Sequence, residues 1–217
     1  MEDMIHVEIE GNIGAGKSSI ISCLHDKGYS VIKEPLVHFS NYFGHNPLVN
    51  VYVTPQSDAA IVQDFIIKTS HDYYNDIFSQ DYTEPGQEYL FTDRSFDSVK
   101  SFIELYYNLG YISSYAKDYL FKRYCQVQTP NRLNDKVVKV YLNVDPLLCQ
   151  ARIAKRARSF EENIPLSLLK TLDDILKKQA LKDACFYPVY FADVCSEDTP
   201  SQIADRILEW LNDNNEW

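Results

Sequence analysis

Glycine is scarce in this chain, seven among 217 residues, so the three that fall at Gly11, Gly14 and Gly16 mark a place where the backbone turns tightly or approaches something closely. The five cysteines, Cys23, Cys125, Cys149, Cys185 and Cys195, are odd in number and form no CxxC pair or Cys/His cluster. That pattern speaks against a zinc site and against a disulfide framework, and it suits free thiols in a reducing compartment. No apolar run comes near the ~20 residues that a membrane-spanning helix needs, and no basic-then-apolar leader opens the chain. A cytoplasmic location without membrane attachment is therefore expected. Positive charge is also short: 21 Lys and Arg stand against 31 Asp and Glu, a net charge of −10. A protein that grips a nucleic-acid backbone presents a basic surface, so polymer binding is disfavoured, while a local basic site for a small phosphorylated ligand is not.

Aromatic residues, by contrast, are plentiful, with 16 Tyr and 11 Phe, and hydrophobic residues make up 45% of the chain. That is enough to bury one sizeable α/β domain over residues 1–217. Five β-rich runs are expected at Ile5–Glu10, Tyr29–Glu34, Glu88–Asp93, Val137–Val144 and Val189–Val194. Helical stretches are expected from Lys17 to about Lys27, near 57–78, 96–125, 146–158 and 165–182, and from Ser201 to about Leu211. Strands separated by helices imply crossover connections and a parallel sheet covered on both faces.

The run Gly11, Asn12, Ile13, Gly14, Ala15, Gly16, Lys17, Ser18 matches GxxxxGK[ST] and sits between an expected strand and an expected helix, which Ser19 continues. In such a loop the glycines let backbone amides curl around phosphates, and the helix points its N-terminus at them. Lys17 is expected on the β/γ-phosphates of a nucleotide and the Ser18 hydroxyl on Mg²⁺. The motif by itself establishes nucleotide binding and no more.

Two further runs fall at strand ends, Glu34-Pro35 and Asp93-Arg94-Ser95. With the phosphate loop after the first strand, both lie at the carboxyl edge, where open α/β sheets bind ligands. A carboxylate there serves either to take a proton from an attacking hydroxyl or to hold a metal, and an adjacent arginine steadies developing charge. Further on, Arg152, Arg156 and Arg158 close a helix, with Arg152 and Arg156 on one face at i,i+4 spacing. Guanidinium groups give planar, multi-donor contacts to phosphate, whereas a solvated basic face is the plainer alternative.

Taken together, GNIGAGKSS, then EP, then DRS, then RIAKRARSFEENIPL resemble the deoxyribonucleoside kinases, the family of mitochondrial thymidine kinase, deoxycytidine kinase and a broad-specificity insect enzyme, over nearly the whole chain. The resemblance implies a P-loop kinase fold with a five-stranded parallel sheet, an arginine-rich lid, ATP and Mg²⁺ as cofactors, and a homodimer acting on small nucleosides in nucleotide salvage. It implies Glu34 as the carboxylate beside the substrate 5′-hydroxyl, and Asp93 as either magnesium ligand or proton acceptor. Arg94 corresponds to the arginine at the nucleoside's 5′ end. Arg152, Arg156 and Arg158 correspond to the lid arginines on ATP, and Glu161 and Tyr52 to the pair on the sugar 3′-hydroxyl. Gln63, eleven residues after Tyr52, corresponds to the glutamine that hydrogen-bonds the base.

Some positions depart from the family pattern. Phe39 stands where many relatives carry Trp, and Leu168 where a lid-helix Tyr is common. The base-stacking Phe aligns with Ile103, one place beyond Phe102, and a one-residue slip would restore the ring. Ser70 and Val99 occupy the places of an Arg and an Asp that face the base in relatives favouring deoxycytidine or purine nucleosides. The resemblance so modified implies a pyrimidine-preferring enzyme with thymidine the best or near-best substrate. A nucleoside monophosphate kinase would need extra basic residues at the acceptor end. A non-catalytic structural relative could dispense with Lys17, Ser18, Glu34 and Arg94, all of which are present, and a regulatory NTPase would show an NKxD motif, which is absent.

Overall fold

The computed structural model describes residues 4–39, 51, 55–79, 87–127, 136–158, 161 and 164–214. Five strands, β1 (Ile5–Gly11), β2 (Ser30–Ile32), β3 (Tyr89–Asp93), β4 (Lys136–Val144) and β5 (Val189–Val194), pair in parallel in the order β2-β3-β1-β4-β5. Eight helices surround them among the described residues: α1 (Lys17–Asp26), α2 (Leu36–Phe39), α3 (Pro55–Ser79), α4 (Ser98–Asn108), α5 (Ser114–Gln126), α6 (Pro146–Arg156), α7 (Leu166–Asp183) and α8 (Pro200–Asp213). Helices α1 and α8 pack together on one side of the sheet, and α4 and α7 on the other. This is the expected P-loop kinase architecture, a parallel sheet flanked by helices.

The chain turns outward in opposite directions from the central strand, to β3 and β2 on one side and to β4 and β5 on the other. Such a reversal opens a crevice at the carboxyl edge. The register brings Ile9 of β1 level with Asp93 of β3, so the end of β3 arrives beside the loop that follows β1.

The core is apolar on one face of β1, where Val7 and Ile9 are fully buried against Ile20, Ile21 and Leu24 of α1. The opposite face of that strand is polar: His6 and Glu8 are buried, and Glu10 closes the stripe. Glu8 lies opposite Lys139 of β4 with Oε2 3.4 Å from Nζ, and Lys139 also reaches Asp183 Oδ2 at 2.9 Å. Burial works against the charge on Lys139, but Glu8 and Asp183 outweigh it and hold its pKa above the ordinary value. Breaking this pair from one side would strand an uncompensated buried charge.

One expected element divides. The stretch 96–125 forms two helices, because Gly110 (φ 70°) ends α4 with Gly110 N–H donating to Tyr107 O at 2.9 Å and Tyr111 N–H to Tyr106 O at 2.8 Å. That left-handed glycine cap satisfies the last carbonyls and stops the helix, and Ser113 then caps α5 by accepting from Ala116 N–H. The second strand is also shorter than expected, Ser30–Ile32, since Pro35 and the turn into α2 end its pairing.

Candidate active site

The loop after β1 wraps a cradle. Gly14 (φ 79°) presses against α6 so closely that an added Cβ would lie 2.5 Å from Cys149 O. Only glycine meets both demands, left-handed backbone and no side chain. Asn12 pins the loop from the other side, its Nδ2 donating to Leu169 O at 2.8 Å while its Oδ1 accepts from Ile13 N–H. Helix α1 begins at Lys17 with Gly16 as an N-cap that offers no side-chain acceptor, so its first-turn amides face the loop's interior. Lys17 Nζ donates to Gly11 O and Asn12 O at 3.1 and 2.9 Å. Burial, and then the neighbouring Arg94 charge, lower its pKa to about 8 against the pull of Asp93, Glu34 and Glu10. A buried ammonium of depressed pKa is a site that a polyphosphate would relieve.

At the end of β3, Asp93 Oδ2 accepts from Ser18 Oγ at 2.6 Å. Its Oδ1 is buried and has no hydrogen-bond partner among the described residues. A buried carboxylate oxygen left over beside a serine hydroxyl fits a hard divalent cation, which takes oxygen ligands and completes its shell with phosphates and water.

Arg94 follows with φ 68°, a left-handed conformation rare for a residue with a side chain. Its N–H donates to Ile9 O at 3.0 Å and its O accepts from Tyr74 Oη at 3.1 Å, which together hold the corner. Its Nε lies 3.2 Å from Glu34 Oε1, its Nη1 3.8 Å from Glu10 Oε2, and its guanidinium 5.2 Å from the centre of the Phe102 ring. Burial raises the pKa of Glu34, with Asp93 and Glu10 adding to the effect and Arg94 and Lys17 opposing it. A carboxylate at the mouth of a phosphate loop, less acidic than usual, is suited to accept a proton from a hydroxyl.

Beyond Glu34 the cleft widens into an acceptor half, and the whole space amounts to about 1010 Å³ including its open mouth. Phe39, Gln63, Ile66, Ser70, Val99 and Phe102 line it. Gln63 is buried, its Nε2 donates to Val99 O at 3.3 Å, and its Oε1 has no hydrogen-bond partner among the described residues. Phe102 lines the cleft and Ile103 is fully buried in the core, which is the arrangement that a one-residue slip of the alignment gives. Leu168 is likewise core and takes no part in the site. Tyr52 lies outside the described residues.

The arginines divide. Arg156 and Arg158 line the cleft and converge on Glu161, which is buried: Arg156 Nη2 and Nε donate to Glu161 Oε2 at 2.5 and 3.1 Å, and Arg158 Nη1 lies 3.4 Å from Oε1. Arg152 is not among the cleft residues. It braces the phosphate loop from behind, donating to Ala15 O at 3.1 Å and to Cys195 O at 3.3 Å. The helix ends at Arg156, and Ala157 (φ 51°) turns the chain so that Arg158 leaves the helical face.

Two site residues escape the motifs, Glu10 and Ser98, and the DRS run assigns Ser95 no role of its own. Glu10 Oε1 accepts from Ser95 N–H, Ser95 Oγ and Ser98 Oγ at 2.9, 2.9 and 2.6 Å. A signal was present, since a central strand buried on both faces reads as a continuous apolar run, whereas IHVEIE alternates.

A glycine-rich loop at a helix N-terminus, a hydroxyl–carboxylate pair that fits a metal and a cleft continuing beyond them are the geometry of a P-loop protein. The family model described as deoxynucleoside kinase matches residues 7–213. The deoxyguanosine kinase of Dictyostelium discoideum is 32% identical over 78% of this chain and 56% of its own length. A fowlpox virus protein named probable deoxycytidine kinase is 30% identical over 77% of this chain and 68% of its own, and human mitochondrial thymidine kinase 2 is 25% identical over 82% and 65%. The chain thus spans little more than half the length of the amoebal relative. Among solved structures, deoxyadenosine kinase from M. mycoides with bound dCTP superposes with a TM-score of 0.78 at 21% identity, over 96% of this chain and 100% of that one. The same enzyme with the products dCMP and dCDP gives 0.77 at 20% over the same shares. The chain belongs to the deoxynucleoside kinase family.

Proposed function

We propose that this protein transfers the γ-phosphoryl group of ATP to the 5′-hydroxyl of a deoxynucleoside, with a pyrimidine, thymidine above all, as the preferred acceptor. The observation that carries the reading is Glu34, half-buried with a raised pKa, standing between the phosphate loop and an acceptor chamber whose described residues around the base carry no charge. Among the described residues, the cations on the cleft wall are Lys17, Arg94, Arg156 and Arg158, all at the phosphate end or on Glu161. An acceptor already carrying a phosphate would ask for further basic groups beyond Glu34, which disfavours a monophosphate kinase.

In this mechanism Glu34 accepts the 5′-hydroxyl proton, and Arg94 meets the charge that spreads over the transferring group. Lys17 and the loop amides hold the donor's phosphates in line. Asp93 and Ser18 would hold Mg²⁺, which when bound supplies neutralisation of the phosphate oxygens. Glu161, with Tyr52, receives the sugar 3′-hydroxyl. Arg156 and Arg158 bridge from Glu161 to the phosphates, while Arg152 supports the loop.

Base choice follows from Gln63. Its Nε2 spends one of its two N–H groups on Val99 O, and Oε1, without a partner among the described residues, is offered to the base, where thymine N3–H is a matching donor. Phe39, Ile66, Val99 and Phe102 supply apolar walls for the 5-methyl group, worth about 0.8 kcal/mol if fully buried. Ser70 and Val99 leave the chamber without the charged pair associated with other bases. A homodimer is part of the same proposal, on the family resemblance, and light scattering should give twice the chain mass. Competition among thymidine, deoxycytidine, deoxyadenosine and deoxyguanosine tests the base reading: thymidine should win, and a clear win for either purine would overturn it.

A further inference from the structure

We infer that Glu10 is a positioning residue, which holds the Asp93–Arg94–Ser95 corner in its strained form so that the Arg94 guanidinium stands at the reacting end of the cleft. Its part in the reaction presupposes the nucleoside kinase reading above. Arg94 adopts φ 68°, which a non-glycine residue keeps only when its surroundings insist on it. Ile9 O and Tyr74 Oη hold the Arg94 backbone itself, and Glu10 holds the residues that follow it and one end of the guanidinium. One carboxylate oxygen receives three hydrogen bonds, from Ser95 N–H, Ser95 Oγ and Ser98 Oγ. The single Ser98 O–H is shared with the other oxygen, 2.7 Å away, which lies 3.8 Å from Arg94 Nη1.

Ser95 and Ser98 are buried, and beside them Glu10 borders a second, smaller cleft of about 390 Å³ including its opening to solvent. The hydrogen bonds to Glu10 are therefore made within the fold. The geometry also separates the duties of the two acidic groups flanking Arg94. Glu34 holds Nε from the substrate side at 3.2 Å, while Glu10 holds the backbone and the far end of the guanidinium from within the fold. Placed at the last side-chain-bearing position of the central strand, Glu10 transmits the rigidity of the sheet to the one arginine that faces the acceptor's 5′ end.

The test is a double-mutant cycle with an activity-independent readout beside it. Glu10→Ala should lower kcat ~10–100-fold while KM for ATP stays within about threefold, because the phosphate loop is untouched. In an Arg94→Lys background the same change should add less than about threefold, since its effect runs through Arg94. Glu10→Gln keeps an acceptor for the serines and should recover most of the rate, which also covers the case in which the alanine variant folds poorly. Fully additive losses in the cycle, or a Gln variant as impaired as the Ala variant, would overturn the inference. In parallel, the Arg94 Nε–H signal, assigned by its loss in Arg94→Lys, should be sharp and slow to exchange in wild type and broadened in Glu10→Ala. An unchanged signal would overturn it even if no nucleoside were phosphorylated, and in that event the functional reading fails separately.

Discussion

Glu34 carries two opposed demands that a single substitution separates. Its folded pKa lies above the ordinary 4.5, chiefly through burial, so the folded chain binds more protons than the unfolded one in that range. Stability is then fully present below the unfolded pKa and is lost as pH rises through the folded value. Glu34→Gln removes that loss, so the ligand-free variant should melt above wild type at about pH 7.5 and converge with it near pH 4. The same variant should lose turnover ~10²-fold or more. A lower melting temperature at neutral pH would mean that pairing with Arg94 outweighs burial, and a rate within a few-fold of wild type would move the proton-accepting role to Asp93. For Asp93 itself, Asn in its place should raise the Mg²⁺ needed for half-maximal rate by ~10–100-fold, and an unaltered metal requirement would contradict its placement. The residues in this paragraph were legible because motifs name side chains. The choice between Phe102 and Ile103 stayed open in the sequence because helix facing turns on a single residue, and Glu10 was missed because its work is done through partners that only the fold assembles.

Among the elements, the phosphate loop and α6 behave as one part. Gly14→Ala would force a Cβ to within 2.5 Å of Cys149 O in a left-handed backbone, and should cost about 1–3 kcal/mol of stability and abolish ATP binding. Normal binding by that variant would show that the loop adapts more than the structure implies. Arg152→Ala should raise KM for ATP, because Arg152 supports Ala15, whereas Arg156→Ala should depress the rate at saturating ATP, since its contacts strengthen only as charge spreads. Identical kinetic signatures would contradict that division. The sequence pattern foresaw each strand and most helices, β5 to the residue at Val189–Val194. It ran α4 and α5 together because the apolar periodicity continues across Leu109, and the weight of Gly110 as a cap depends on a backbone angle that composition does not display. Likewise the arginine run gave no hint that Ala157 would turn Arg158 away from the helix and leave Arg152 behind the loop.

For the whole molecule, a net charge of −10 and a cleft whose described cations gather at one end support the proposed binding of small phosphorylated ligands. Family membership accounts for the sheet, the loop and the two-chambered cleft, while the acceptor's identity rests on side chains particular to this chain, Gln63, Ser70 and Val99 among them. The relatives carry names for guanine, cytosine and thymine nucleosides, so family membership leaves the base open and the proposal rests on the chamber's lining. The most direct measurement follows the label from [γ-³²P]ATP, in the presence of Mg²⁺, offered to thymidine and to thymidine 5′-monophosphate in separate reactions. The account predicts labelled thymidine 5′-monophosphate from the first and no labelled diphosphate from the second; label passing to the monophosphate and not to the nucleoside would contradict it.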